Sequence, residues 1–263
     1  MLKATDNKEI QLHINEMLSF DHADLGYGNN KVLCDLNFVL NEGDFLGIVG
    51  PNGTGKTTML KAMLGILKPL AGHVHRNSET RFGYVPQRQF IDEVFPLTVM
   101  DIALMGRYPL LGAIRRPSRR DRDYALECLS HVGIADLAQK AYRELSGGQK
   151  QRALIARALA AEPKVMILDE PTNDMDIGSE HAIMELLSDL HESDNITIVM
   201  VSHLLNVIIN YVEKIALIDG GLRMIGNIDE VLSSKNLSDI YEVGVEVGAF
   251  GGQRVIVTGG RDA

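Results

Sequence analysis

The apolar residues of this chain fall mostly into short continuous runs instead of regular alternation. FLGIVG at 45–50 ends in glycine and leads into KTTMLKAMLGIL, which has helical spacing from Lys56 onward. VMILD (165–169), ITIVMV (196–201) and KIALID (214–219) repeat the theme, with helical stretches at 179–191 and 203–212 between them. Unbroken Val/Ile/Leu runs suit strands covered on both faces, so the pattern predicts an α/β fold with a mostly parallel sheet. Shorter strands begin at Leu18. The middle of the chain, about 90–160, has helical character. Thr98 with Asp101 forms a capping-box pattern before IALMG, and a second helix is expected from Arg119 to about Val132. This stretch is read as a helical subdomain inserted into the α/β core. Residues 1–17 are polar and aperiodic, as expected of a loose arm. The tail 241–263 is short, and its VIV run at 255–257 can add a small strand.

Composition narrows the picture. A chain of 263 residues suits one large domain or two closely packed ones. Its net charge of −9 disfavours nucleic acid and anionic lipid as non-specific partners. Cys34 and Cys128 lie far apart and in no paired-ligand spacing, as in a protein of a reducing compartment. The N-terminus has no apolar core followed by a small-residue cleavage site, so no signal peptide is expected. The most apolar stretch, 196–212, is broken by Ser202, His203, Asn206 and Asn210. A chain of this kind reaches a membrane through a partner.

The chemistry sits where the runs end. GPNGTGKT, Gly50 to Thr57, fits G-x-x-x-x-G-K-[ST] with a strand before it and a helix after it. Gly50, Pro51, Asn52, Gly53, Thr54, Gly55, Lys56, Thr57 and Thr58 would then wrap a phosphate. Glycines let successive backbone N–H groups turn toward one anion, and the helix N-terminus adds its positive end. Lys56 reaches the β- and γ-phosphates, and the Thr57 hydroxyl ligates Mg²⁺. VMILDE ends an apolar strand in two carboxylates, a costly arrangement unless a cation or a reaction uses them. Asp169 is assigned to Mg²⁺ and Glu170 to orienting the attacking water. A second anion site appears in LSGGQ. Ser146 caps a helix with Gln149 in capping-box spacing, and Gly147 and Gly148 expose N–H groups between them. One ATP needs one such cradle, so two in one chain suggest that a second copy supplies the other.

With these motifs in order, the chain resembles the ABC ATPase family over about residues 18–235. LSGGQ is similar to that family's signature, Gln87 in YVPQ to its Q-loop glutamine, His203 to its switch histidine, and Tyr27 in LGYG to the aromatic that stacks on adenine. The resemblance implies a P-loop NTPase core with an N-terminal antiparallel β portion and an ATPase domain over 18–240. It also implies ATP and Mg²⁺ as cofactors, with Thr57, Gln87 and Asp169 at the metal. Lys56, Gln87, Glu170 and His203 are the catalytic set. The expected partners are a second copy packed head to tail, integral membrane permease subunits and, indirectly, a substrate-binding protein, with no nucleic acid. The expected location is the cytoplasmic face of the membrane, peripherally. The segment 95–129 is similar to that of importers for zinc, manganese or iron, with the iron-chelate and cobalamin group as the alternative. After Pro171 the sequence departs from the family's usual Ser-Ala/Gly-Leu-Asp turn: it reads Asn173-Asp174-Met175-Asp176.

Two features are set aside at this level. His73 and His75 occupy alternate positions of a strand, but two histidines fall short of the three or four ligands a metal site needs. The basic run 114–123 is either a solvated loop leading into a helix or a patch for lipid headgroups or a membrane partner.

Overall fold

The computed structural model describes residues 15–87, 96–112 and 115–259. The chain opens with β1 (Glu16–Tyr27), β2 (Asn30–Asn41) and β3 (Phe45–Val49), then α1 (Lys56–Met63), β4 (Ala71–Arg76) and β5 (Phe82–Val85). A helical stretch follows: α2 (Val99–Met105), α3 (Tyr108–Leu111), α4 (Arg119–His131) and α5 (Gly147–Leu159). The chain then alternates through β6 (Val165–Asp169), α6 (Ile177–Glu192), β7 (Thr197–Val201), α7 (Leu205–Ile208), β8 (Lys214–Ile218) and β9 (Leu222–Asn227). It closes with α8 (Ile228–Val231), α9 (Ser234–Tyr241), β10 (Val245–Phe250) and β11 (Gln253–Thr258).

The main sheet has the order β5-β6-β7-β3-β8-β9, parallel except for its edge strand β9. Every residue of β3, β6 and β7 is buried, as continuous apolar runs require. The two-residue period of the strands divides the core. Phe45 and Val49, with Met166 and Leu168, face the helical side, whereas Leu46 and Ile48, with Val165 and Ile167, face the second sheet and α1. That second sheet is antiparallel, in the order β2-β1-β4, as expected of the N-terminal β portion. The carboxyl ends of β3, β6 and β7 emerge side by side, where open α/β sheets place their ligands.

The inserted helices form a unit around Val99, Ile102, Ala103, Ala125, Leu129 and Ala153. The expected Thr98–Asp101 capping box is present, and α4 starts at the expected residue on a second box, Ser118–Asp121. Gly106 closes the packing, because a Cβ there would lie 1.9 Å from the Arg157 carbonyl oxygen. Arg107 ties this unit to the α/β core. It donates to Asp121 at 3.1 Å, to Glu162 at 2.7 Å and to the Ala160 carbonyl at 2.9 Å. The basic run divides: Arg119–Asp123 form the first turn and a half of α4, Arg115 and Arg116 precede it, and Ile114 lies outside the described residues.

Three expectations need correction. β1 begins at Glu16, so Glu16 and Met17 belong to the sheet and not to the arm. The helix expected over 203–212 is reduced to α7, four residues long, followed by turns. The tail contributes a hairpin, β10–β11, in place of a single strand. Asn206 and Asn210, which break the apolar run 196–212, hold that hairpin. Asn206 donates to the Ile256 carbonyl (3.0 Å) and accepts from its N–H (2.6 Å), and Asn210 does the same with Arg254 (3.1 and 2.8 Å). Among the described residues, no helix is long and apolar enough to cross a membrane.

Candidate functional site

The loop between β3 and α1 is shaped by backbone contacts that admit only glycine. A Cβ on Gly50 would lie 2.0 Å from the Ile218 carbonyl oxygen, and Gly55, at φ 105°, would drive one into Leu33. Lys56 is 6% exposed, and its ammonium donates to the carbonyls of Gly50 and Pro51 at 2.8 Å each. It thus braces the loop it belongs to. Burial pulls its pKa down, while Glu170 and Asp169 oppose that shift. The Thr54 hydroxyl donates to the Pro51 carbonyl at 2.8 Å, closing the turn. α1 has no side-chain cap and no acid in its first turn, so its positive end is left open.

The β6 tip faces this loop. Asp169 is 6% exposed, and burial, then the neighbouring Glu170 charge, raises its pKa, with Lys56 and the Thr57 hydroxyl acting against them. At this acid, burial and the adjacent Glu170 charge outweigh the chain's own compensating groups. A hydroxyl beside a buried carboxylate is the oxygen donor set that a hard divalent cation takes, so the Thr57–Asp169 pair fits Mg²⁺. Glu170 sits at φ 49°, a left-handed conformation that a non-glycine residue adopts at a cost of about 1–3 kcal/mol. Its backbone N–H donates to the Val201 carbonyl at 3.0 Å, which locks the strained residue to the end of β7.

Two residues distant in sequence bracket the Glu170 carboxylate. The Gln87 amide donates to Oε2 at 3.3 Å, and His203 Nδ1 lies 3.2 Å from Oε1. Ser202 holds the histidine's position: its N–H donates to the Ile48 carbonyl, and its hydroxyl accepts from the Leu204 N–H at 3.0 Å. Sequence reasoning missed Ser202, and its place directly before His203 at the end of a buried strand was the available signal. Asn52, Gly53, Gly55, Lys56, Thr57, Thr58 and Glu170, with Val32 and Val201, line a cavity of about 320 Å³. Tyr27 stands at the end of β1 with its ring half exposed. Lys61, also missed, donates to its hydroxyl at 3.3 Å.

Ser146–Gln149 forms the expected capping box. The Ser146 hydroxyl accepts from the Gln149 N–H at 3.3 Å, and the Gln149 side-chain Oε1 accepts from the Ser146 N–H at 3.0 Å. Ser146 is exposed, and none of these four residues lines the Lys56 cavity. In the departing turn, Asp174 takes a left-handed φ of 58°, and Asp176 caps α6 through Ser179.

A family model for ABC transporters matches residues 33–173, from β2 through the phosphate loop and LSGGQ to the turn after Glu170. The chain belongs to the ABC transporter family. It is an ATPase of that family, with hydrolysis coupled to transport. Among its relatives is a manganese transport system ATP-binding protein of Bacillus subtilis, 36% identical over 230 residues, covering 85% of this chain and 92% of that protein. A molybdate import ATP-binding protein of Haemophilus influenzae is 35% identical, covering 88% and 90% respectively. Among solved structures, a chain of an inward-facing metal-chelate type ABC transporter matches with a TM-score of 0.86 and 32% identity, over 94% of this ABC ATPase and 99% of that chain. A dimeric ATP-binding cassette bound to ADP and Pi matches with a TM-score of 0.67 and 29% identity, over 81% and 99%.

Proposed function

We propose that this ABC ATPase powers a metal-ion importer from the cytoplasmic face of the membrane. Two copies pack head to tail, so that Gly50–Thr58 of one and Ser146–Gln149 of the other hold one ATP. The observation that carries this reading is the Glu170 carboxylate, bracketed by Gln87 and His203 beside the Lys56 cavity. Tyr27 offers a face to the adenine. Lys56 and the loop amides balance the phosphate charge, and Thr57, Asp169 and Gln87 hold Mg²⁺. The cation neutralises phosphate charge when bound. Glu170 orients the water and takes its proton as the oxygen approaches the γ-phosphorus. His203 steadies the carboxylate and faces the same phosphate. Catalysis of this kind is placement and charge stabilisation, with little covalent work for the protein.

The helical unit around α2–α5 is the part that meets a permease. Gln87 precedes it in the chain, so nucleotide state at Glu170 can reach it through that residue. A substrate-binding protein would deliver cargo to the permease, and nucleic acid has no role. The domain reading that follows is the expected ATPase domain over 18–240, extended back to Glu16 by β1, with the helical subdomain at about 90–160. The manganese relative favours a divalent metal ion as cargo, and the 95–129 resemblance puts manganese or zinc ahead of iron. The metal-chelate neighbour favours the alternative, an iron chelate or cobalamin.

Glu170→Gln keeps the side chain's shape and removes its charge. Phosphate release should fall by about 100-fold or more, while ATP is retained and the dimer accumulates. Turnover near that of the unaltered protein would remove Glu170 from this role. For cargo, a strain lacking the subunit should grow poorly under chelation and recover with manganese or zinc. Recovery only with a siderophore or cobalamin would favour the alternative and leave the ATPase unaffected.

A further inference from the structure

We propose a second, unassigned ligand site: Asp21, His73 and His75 bind a divalent transition-metal cation on the outer face of the antiparallel sheet. The two histidines are alternate residues of β4, so both point the same way, and their rings stack at 5.6 Å with an interplanar angle of 19°. Asp21 of β1 is the direct cross-strand partner of His73, and Ser19, two residues back on the same face, is the partner of His75. The register therefore sets one carboxylate and two imidazoles around a single point. One ligand atom from each of the three lies within 4.8 Å of the others.

The backbone holds this register in place. β1 bulges after Asp21, where His22 takes φ 46°, and the pairing with β4 shifts there. Gly72, at φ 68°, lets β4 approach the bulge. A Cβ on Gly72 would meet the His22 carbonyl oxygen at 2.0 Å, so glycine is required one residue before His73.

The three side chains are available. All are exposed, and no hydrogen bond or ion pair among the described residues engages them. Their neighbours are already committed. His22 is 2.6 Å from Asp35, and Asp24 is paired with Lys31 at 2.5 Å. Metal–ligand bonds of about 2.0–2.2 Å bring tetrahedral ligand atoms to roughly 3.4 Å from one another, so the exposed side chains must close by up to about 1.4 Å. Rotation about side-chain bonds supplies that without moving a strand.

The donor set selects the cation. Two imidazoles and one carboxylate suit Zn²⁺, Co²⁺, Ni²⁺ or Mn²⁺, with water completing the shell, and do not suit Mg²⁺ or Ca²⁺. The site is separate from the nucleotide. Tyr27 lies six residues further along β1, roughly 20 Å away at strand spacing.

The test uses the full-length, untagged, nucleotide-free protein titrated with Zn²⁺ by calorimetry, and with Co²⁺ by visible absorption, in excess Mg²⁺. A site of micromolar affinity should appear once per protomer and survive the Mg²⁺. His73→Ala and His75→Ala should each weaken it roughly tenfold or more, since even outer-shell losses cost that much, and the double variant should remove it. Asp21→Asn should weaken it, and His22→Ala should leave it unchanged. Because the substituted residues are exposed, each variant should melt as the unaltered protein does. A double variant that binds with the same stoichiometry and affinity would overturn the proposal, as would loss of binding in Mg²⁺ or His22→Ala weakening it equally.

Discussion

The first turns of α4 and α5 use the same device and end in opposite conditions. Each opens on a serine whose hydroxyl accepts from the N–H three residues on, with that third side chain reaching back to the serine's N–H. At α4 the third residue is Asp121, buried and bonded to Ser118 and Arg107. These contacts, led by the Ser118 hydroxyl, draw its pKa down to about 2. The helix's positive end is thus neutralised from within the chain. At α5 the third residue is the neutral Gln149, the first turn holds no acid, and Ser146 is exposed. That end remains open to an anion. The carboxylates repeat the contrast: Asp121 is pulled down by its Ser118 and Arg107 partners, whereas Asp169 is pushed up by burial and the neighbouring Glu170 charge. Closed regions of this kind build the fold, and open ones wait for a ligand or a second chain.

This contrast can be broken most decisively by mixing subunits. Lys56→Ala and Ser146→Arg homodimers should each lose about 100-fold or more in turnover. Mixed dimers place both defects in one composite site and leave the other intact, so the mixture should hydrolyse ATP faster than either parent. A mixture as inactive as its parents would end the two-chain reading of α5.

Asp169→Asn separates function from stability. The fold favours the protonated form of Asp169, so this carboxyl contributes stability at acid pH that is lost as pH rises through its raised folded value. The neutral amide should therefore melt no lower than the parent at neutral pH without nucleotide, while turnover is lost. A marked fall in melting temperature would mean that Asp169 is satisfied within the chain.

The smallest effects come from exchanging the characters of the two helix starts. Asp121→Asn should lower stability at neutral pH, because a depressed pKa contributes stability above the unfolded value that fades as pH falls toward about 2. The gap between variant and parent should narrow along that path, with little change in turnover below the melting range. Gln149→Glu should do the reverse. An acid in the first turn adds about 0.5 kcal/mol of helix stability but repels the incoming phosphate, so melting holds or rises while ATP-driven dimer formation weakens. Equal responses of the two helices would remove the distinction.

Much of this was legible beforehand because it depends on local rules. The apolar runs 45–50, 165–169, 196–201 and 214–219 became strands, since residues buried on both faces leave no alternation to misread. Both expected capping boxes, Thr98–Asp101 and Ser146–Gln149, formed, since each needs only four consecutive residues; the equally local Ser118–Asp121 box was overlooked. The Gly50–Thr57 loop was readable for the same reason. The run 203–212 was misjudged. Its helical spacing is real, but Asn206 and Asn210 spend their amides on β11, 50 and 44 residues on, and the helix stops at four residues. No window along the chain contains that exchange.

The sequence by itself determined the buried central strands, the Thr98 and Ser146 helix caps and the phosphate-loop pattern of Gly50–Thr57. These follow from side-chain periodicity and from hydrogen bonds a few residues apart. Only the tertiary structure decided that Gln87 and His203 meet at Glu170, that burial and Glu170 raise the Asp169 pKa, and that Asp21 completes a cluster with His73 and His75. Those outcomes depend on strand order, register and burial. Each is a property of chain segments brought together across long loops, and the stretches of sequence that supply them carry no local trace of the partner.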